Sequence, residues 1–132
     1  MMEKIKEIRN KKNASLVVAY QNGTIKEYYQ NRILDLVSIL KENETALKGS
    51  TIADKVVGKV AASVMAVVGV SKLHANTLSK IAIPVLEQAG ITYSYGKVVD
   101  YIKNKDKTGM CPMENKYQDE MDIMKIYLDM VK

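Results

Sequence analysis

Apolar and polar positions change period several times along the chain, and each change marks an element. Residues Glu3 to Lys11 place Ile5 and Ile8 on one side of a short helix. Ala14 to Tyr20, "ASLVVAY", is a β-branched run that reads as a strand. Asn22-Gly23 follows, a strong hairpin signal because a type I′ turn wants positive φ at both central residues. Thr24 to Tyr29 alternates and returns as an edge strand with one wet face. Apolar residues at 33, 34, 36, 37, 39 and 40 have helical spacing, and "ETALKGS" after them is a polar loop ending near Gly49.

From Thr51 to Val68 the chain is apolar on most faces, which predicts a long, largely buried helix closed by Gly69. Val70 to Asn76 reads as the third strand. Ser79 is placed to cap the next helix, "KIAIPVLEQA", where Pro84 either kinks the helix or sits in its first turn. Gly90 supplies the stop, and Ile91 to Tyr95 is the fourth strand. "KVVDYIKNK" reads as a short helix and "DKTG" as a turn. Met113, Tyr117, Met121, Met124, Leu128 and Val131 recur at steps of three and four, predicting one amphipathic C-terminal helix over residues 114–132 with a Met-rich stripe. A hairpin followed by alternating helices and strands argues for an α/β fold. Its form is a three-layer α/β/α sandwich on a mixed sheet of four or five strands, in one domain over residues 1–132.

Composition narrows the class. The 132 residues are 47% hydrophobic, enough for a core, but every aromatic is tyrosine, so Val, Ile, Leu, Ala and Met must fill it. One cysteine excludes an internal disulfide and is compatible with a reducing compartment. No secretory leader opens the sequence, and the longest apolar stretch, Val60 to Val70, is too short to cross a bilayer. The expectation is a soluble cytoplasmic protein. The net charge of +5 lies partly in Lys4, Lys6, Arg9, Lys11 and Lys12. Without interleaved aromatics these read as a solvated helix face rather than a nucleic-acid footprint.

Three stretches carry candidate chemistry. In "GSTIADKVVGK", Thr51 and Asp54 are spaced like a capping box at the start of the long helix. The same helix start is a ready anion site, with Lys55 and Lys59 adding charge from one face. Gly58 costs a helix interior roughly 1 kcal/mol against alanine, which suggests a close approach to the backbone. A Walker loop is absent: Val60 follows Gly58-Lys59, and Ala53 stands where the first glycine is needed. In "LHANTLS", His74 is either a satisfied core imidazole or part of a site wall. Asn76, Thr77 and Ser79 follow it at the strand's C-terminal end, where open α/β sheets bind ligands. In "KDKTGMCPMEN", Pro112 suits a first helical position, which makes Cys111 the cap and Glu114 the third helical residue. The helix start, reinforced by Lys105 and Lys107, favours thiolate; the alternative is a small packed hydrophobe.

The hairpin, "ADKVVGKVAA", "KLHAN" and "GMCPME" together resemble a small uncharacterised prokaryotic family with a cytidine-deaminase-like fold and no assigned reaction. The resemblance spans about Asn13 to Glu114 and implies a pocket where two helix N-termini meet at strand ends. Zinc deaminases carry H-x-E and P-C-x-x-C. Here Ala53-Asp54-Lys55 and Asn76-Thr77-Leu78-Ser79 stand in those places, so no zinc and no other cofactor is implied. The first functional expectation is a pocket for a small anionic or nucleotide-like ligand. Asp54, Lys55 and Cys111 would be its reactive groups, with Gly58, Lys59, His74, Asn76, Thr77 and Ser79 as its lining. The second is a non-catalytic module that uses the Met-rich C-terminal helix for protein contacts, a homodimer among them.

Overall fold

The computed structural model describes residues 1–30, 33–104 and 106–132. Helix α1 (Met2–Lys12) leads into a hairpin of β1 (Leu16–Ala19) and β2 (Ile25–Tyr28). Then come α2 (Leu34–Glu42), β3 (Thr51–Val57), α3 (Lys59–Val68) and β4 (Lys72–Ser79). A 3-10 turn (Lys80–Ala82) precedes α4 (Ile83–Ala89), β5 (Thr92–Val99), α5 (Pro112–Tyr117) and α6 (Ile123–Val131). The sheet order is β2-β1-β3-β4-β5, so β2 is an edge strand as its alternation predicts. β1 runs antiparallel to β2 and β3, whereas β3, β4 and β5 are parallel.

Helices cover both faces. On one, α1 packs Ile5 against Val17, Ala19 and Ala53. On the other, Leu16, Val18, Ile52 and Leu73 meet α2, α3, α4 and α6 through Leu36, Leu40, Met65, Leu86 and Tyr127. Arg9 does not decorate a wet face: it is buried, donating from Nη1 to the Ala14 carbonyl at 2.8 Å. On the α1 side, Ser94 and Gly96 of β5, beside His74 and Asn76, remain exposed.

The main correction concerns residues 51–57, which form the central strand β3 and not the first half of a long helix. Val56-Val57 and Val60 join two elements into one apolar run, and a strand buried on both faces shows no alternation to betray it. Gly58 is the break between them, at the cap position of α3. The capping box of Thr51 and Asp54 therefore does not exist. "KVVDYIKNK" is likewise not a helix: Lys97–Val99 complete β5, and a loop follows that is pinned by a bridge between Lys103 and Met110. Pairing to β4 overrides the local pattern.

The C-terminal segment is two helices, because Asp122 starts a new one by accepting from the N–H groups of Met124 (3.0 Å) and Lys125 (3.3 Å). The break resets the phase of the stripe. Tyr117, Ile126, Tyr127 and Val131 turn inward, while Met121, Met124 and Leu128 face outward. Pro84 lies at the start of α4 and kinks nothing. Ser79 precedes the 3-10 turn but makes no side-chain cap. The hairpin forms, yet only Gly23 takes positive φ, at 93°. The turn is closed by a glycine bulge, Tyr20 N–H donating to Thr24 O at 2.8 Å, instead of type I′.

Gly96 lets β5 lie against β4, since a Cβ there would stand 2.7 Å from the Asn76 carbonyl oxygen. Gly96→Ala is expected to cost about 1–3 kcal/mol by overpacking against backbone. A Cβ at Gly109 meets nothing within 4 Å. Urea unfolding of Gly96→Ala and Gly109→Ala tests this; equal loss in both would refute the close approach.

Candidate functional site

The C-terminal ends of β3 and β4 bring two element starts together. Val57 pairs with Leu78 in the parallel ladder, which sets Gly58 beside Ser79. α3 begins directly at Lys59, and the 3-10 turn begins at Lys80. The first N–H groups of an α-helix have no intrahelical acceptor and carry partial positive charge. Here that acceptor is Glu114. Its Oε1 accepts from Lys59 N–H at 2.7 Å, and its Oε2 accepts from Ile102 N–H at 2.9 Å. The Glu114 carboxylate is buried, with 2% of the residue exposed.

Gly58 makes the approach possible, because a Cβ there would stand 2.7 Å from Glu114 Oε1 and 3.1 Å from Ile102 Cγ1. The glycine inferred to mark a close approach marks one, at a cap and not in a helix interior. Pro112 starts α5 immediately after Cys111 and so aims Glu114 inward. Cys111 N–H donates to Ile102 O at 2.7 Å, locking the same segment. Lys59 is buried, and its Nζ donates to the Gln118 carbonyl at 2.9 Å. Ser79 Oγ is fully buried and has no hydrogen-bond partner among the described residues.

The remaining candidates lie elsewhere. Asp54 is in mid-strand, four residues before Gly58, or roughly 13 Å at the rise of a strand. Its side chain shares the face of Ile52, toward α2 and α3, and its neighbour is Asp35. Asp35 Oδ1 accepts from Gln30 N–H at 3.0 Å, and its Oδ2 accepts a short hydrogen bond from the Ser15 hydroxyl. Burial pushes the Asp54 carboxyl up to about 8, and the charge of Asp35 adds to it. The N–H groups of Val56 and Lys55 and the Arg9 guanidinium oppose the rise.

Lys55 is exposed on the opposite face, so Lys55 and Lys59 do not share a helix face. His74, paired with Ala53, lies on the α1 side, its Nδ1 2.7 Å from Ser94 Oγ. Burial lowers its pKa, and Lys6 adds to the effect. Asn76 Nδ2 donates to Asn10 Oδ1 at 3.3 Å on that side. Thr77 is half-buried within β4. Lys107 is exposed in the turn, with φ 58°, and Lys105 lies outside the described residues.

Of the expected site, Gly58, Lys59, Ser79 and Cys111 therefore belong to one neighbourhood. Asp54 belongs to a buried carboxyl pair, and Lys55, His74 and Asn76 belong to the α1 face. Ala53-Asp54-Lys55 and Asn76–Ser79 stand in strands, so the positions that open the following elements are Gly58-Lys59 and Lys80. Sequence reading missed Asp35, whose signal was a charge inside the apolar run "ILDLV". It also missed the reach of Glu114 to α3.

The family profile described as TM1506, domain of unknown function DUF1893, matches residues 4–132. The chain belongs to the DUF1893 family. A solved member, the DUF1893 family protein TM1506 from Thermotoga maritima, superposes with a TM-score of 0.84 at 29% sequence identity. The match covers 96% of this chain and 85% of that one. No curated protein matches the chain. Among the described residues of this DUF1893 chain, no helix is long and apolar enough to cross a membrane.

The buried carboxyl pair sets a pH dependence. With its pKa raised from 3.8 to about 8, Asp54 takes up a proton on folding across that window. Its contribution is fully present below the lower value and is lost as pH rises through the upper one. Asp54→Asn, a mimic of the protonated carboxyl, should match the parent near about pH 3, exceed its stability progressively as pH rises above that, and do so most near about pH 9. Thermal unfolding across that range checks it, and parallel curves for the two proteins would reject the raised pKa.

Proposed function

We propose that this DUF1893 protein binds a small anionic, nucleotide-like molecule at the ends of β3 and β4, on a cytidine-deaminase-like sandwich that works without zinc. One observation carries the reading: the start of α3 already holds an anion, the Glu114 carboxylate, over a glycine with no room for a side chain. The bound carboxylate acts as an internal stand-in for a ligand's phosphate or carboxylate. A ligand takes its place when the segment bearing Cys111 and Glu114 moves aside, meeting the Lys59 N–H, the Lys59 ammonium and the Ser79 hydroxyl. The site's place at the C-terminal ends of parallel strands supports the reading, since ligands of open α/β sheets gather there. Asp54 has no role in contacting such a ligand, and Cys111 serves on the movable segment.

Glu114→Ala should lose about 1–3 kcal/mol of stability through the orphaned N–H groups. It should also bind inorganic phosphate or a nucleoside monophosphate at least about tenfold more tightly than the parent, because the internal competitor is gone. Calorimetric titration of both proteins decides this. If neither binds either anion at millimolar concentration, the site assignment fails.

A second reading rests on the outer side of α6, where Met121 is 88% exposed and Met124 and Leu128 are about half exposed. In that reading the helix is a protein-contact surface and the chain pairs with a second copy. Truncating α6 cannot test it, since Ile126 and Tyr127 are buried in the core. The double substitution Met124→Glu, Leu128→Glu leaves those anchors in place and should shift sedimentation toward monomer. Identical sedimentation of parent and variant would count against the contact.

A further inference from the structure

A groove of about 480 Å³ runs between the β1–β2 hairpin and α2, away from the strand-end site. That volume lies within the roughly 300–1,000 Å³ typical of small-molecule sites. Most such sites are apolar, but this one is lined largely by hydroxyl and amide side chains, Gln30 and Ser38 among them. Among the described residues its only charges are Lys26, on the hairpin wall, and Glu42, on the α2 wall. Neither belongs to any ion pair found among those residues, which include five pairs elsewhere on the surface. Two opposite, unpaired charges thus face one groove from opposite walls.

Tyr20 and Tyr28 also line the groove, joined by a short hydrogen bond between their hydroxyls. Burial raises the Tyr20 pKa, and the Tyr28 hydrogen bond and the Glu42 charge reinforce it. Glu42 lines the same groove as Tyr20, and its charge acts on that phenol. The two tyrosines offer hydroxyl groups beside one acidic and one basic side chain.

We infer that the groove binds a zwitterionic molecule of amino-acid to dipeptide size, its carboxylate toward Lys26 and its ammonium toward Glu42. The amide of a dipeptide meets the neutral hydrogen-bonding groups between them. A ligand with a single charge leaves one wall unanswered, and a dianion is repelled by Glu42. This site shares no residue with the one at the start of α3, so each stands or falls alone.

The test uses the whole chain and glycylglycine as probe, with N-acetylglycylglycine and glycylglycine amide as single-charge controls. Binding is read from chemical-shift changes of the hairpin and α2 amides on titration. Glycylglycine should perturb those amides and bind at least about tenfold more tightly than either control. Lys26→Gln should erase the advantage over the amide, and Glu42→Gln the advantage over the N-acetyl compound. Lys72→Gln, an exposed lysine far from the groove, should change nothing. Absence of perturbation by glycylglycine, or equal binding by the three probes, overturns the inference. So does binding that Lys26→Gln and Glu42→Gln both leave intact, since it would place the ligand elsewhere.

Discussion

The Glu114 carboxylate is the fastening on which the far end of the sheet depends. It joins Lys59, at a sequence distance of 55 residues, to Ile102, at a distance of 12. Two backbone N–H groups that would otherwise be buried without acceptors are satisfied by one side chain. A charged acceptor at a helix start gains from both the hydrogen bond and the helix dipole, so the fastening is strong for its size. Lys59 adds a second tie by reaching the Gln118 carbonyl, and Tyr117, Val60 and Ile126 close a small apolar cluster beside it. Helices α5 and α6 are thus docked through α3, which is also where the proposed anion would bind. Stability and ligand access share one contact.

The sheet sorts the chemistry-bearing residues. Successive side chains on a strand point to opposite faces, so Asp54 and Lys55, adjacent in sequence, are divided by the thickness of the sheet. Asp54 joins Asp35 in the interior, where desolvation dominates its protonation. Lys55 joins the α1 side with His74 and Asn76. The strand ends, where alternation gives way to helix starts, gather a third set. The DUF1893 chain therefore separates its polar groups into places that differ in solvent and charge, and the hairpin groove with Lys26 and Glu42 is a fourth.

Much of the architecture was legible along the chain. The β-branched run at 16–19, the Asn-Gly turn, the amphipathic α2 and the glycines that close α3 and α4 each carry a local physical signal. Together they indicate an α/β sandwich with a hairpin edge. Reading failed where the signal is not local. Thr51–Val57 is a strand because β1 and β4 pair with it on either side, and its two covered faces erase the alternation that would reveal it. Lys97–Val99 stays extended because it pairs with Thr77–Ser79 of β4 at the sheet's edge. The C-terminal stripe misled because one capping aspartate, Asp122, restarts the helix out of phase.

The candidate site divides along the same line. Sequence alone determined that the zinc-deaminase motifs are missing, and it pointed to a close approach at Gly58 and to a helix start at Pro112. These follow from properties of single residues and short spacings. Only the tertiary structure decided that the close approach is made by Glu114, that Cys111 lies near Gly58 and not Asp54, and that Asp35 lies beside Asp54. Those pairings join residues 19 to 56 positions apart, and no local propensity reports which distant backbone N–H a carboxylate will find once the sheet has closed.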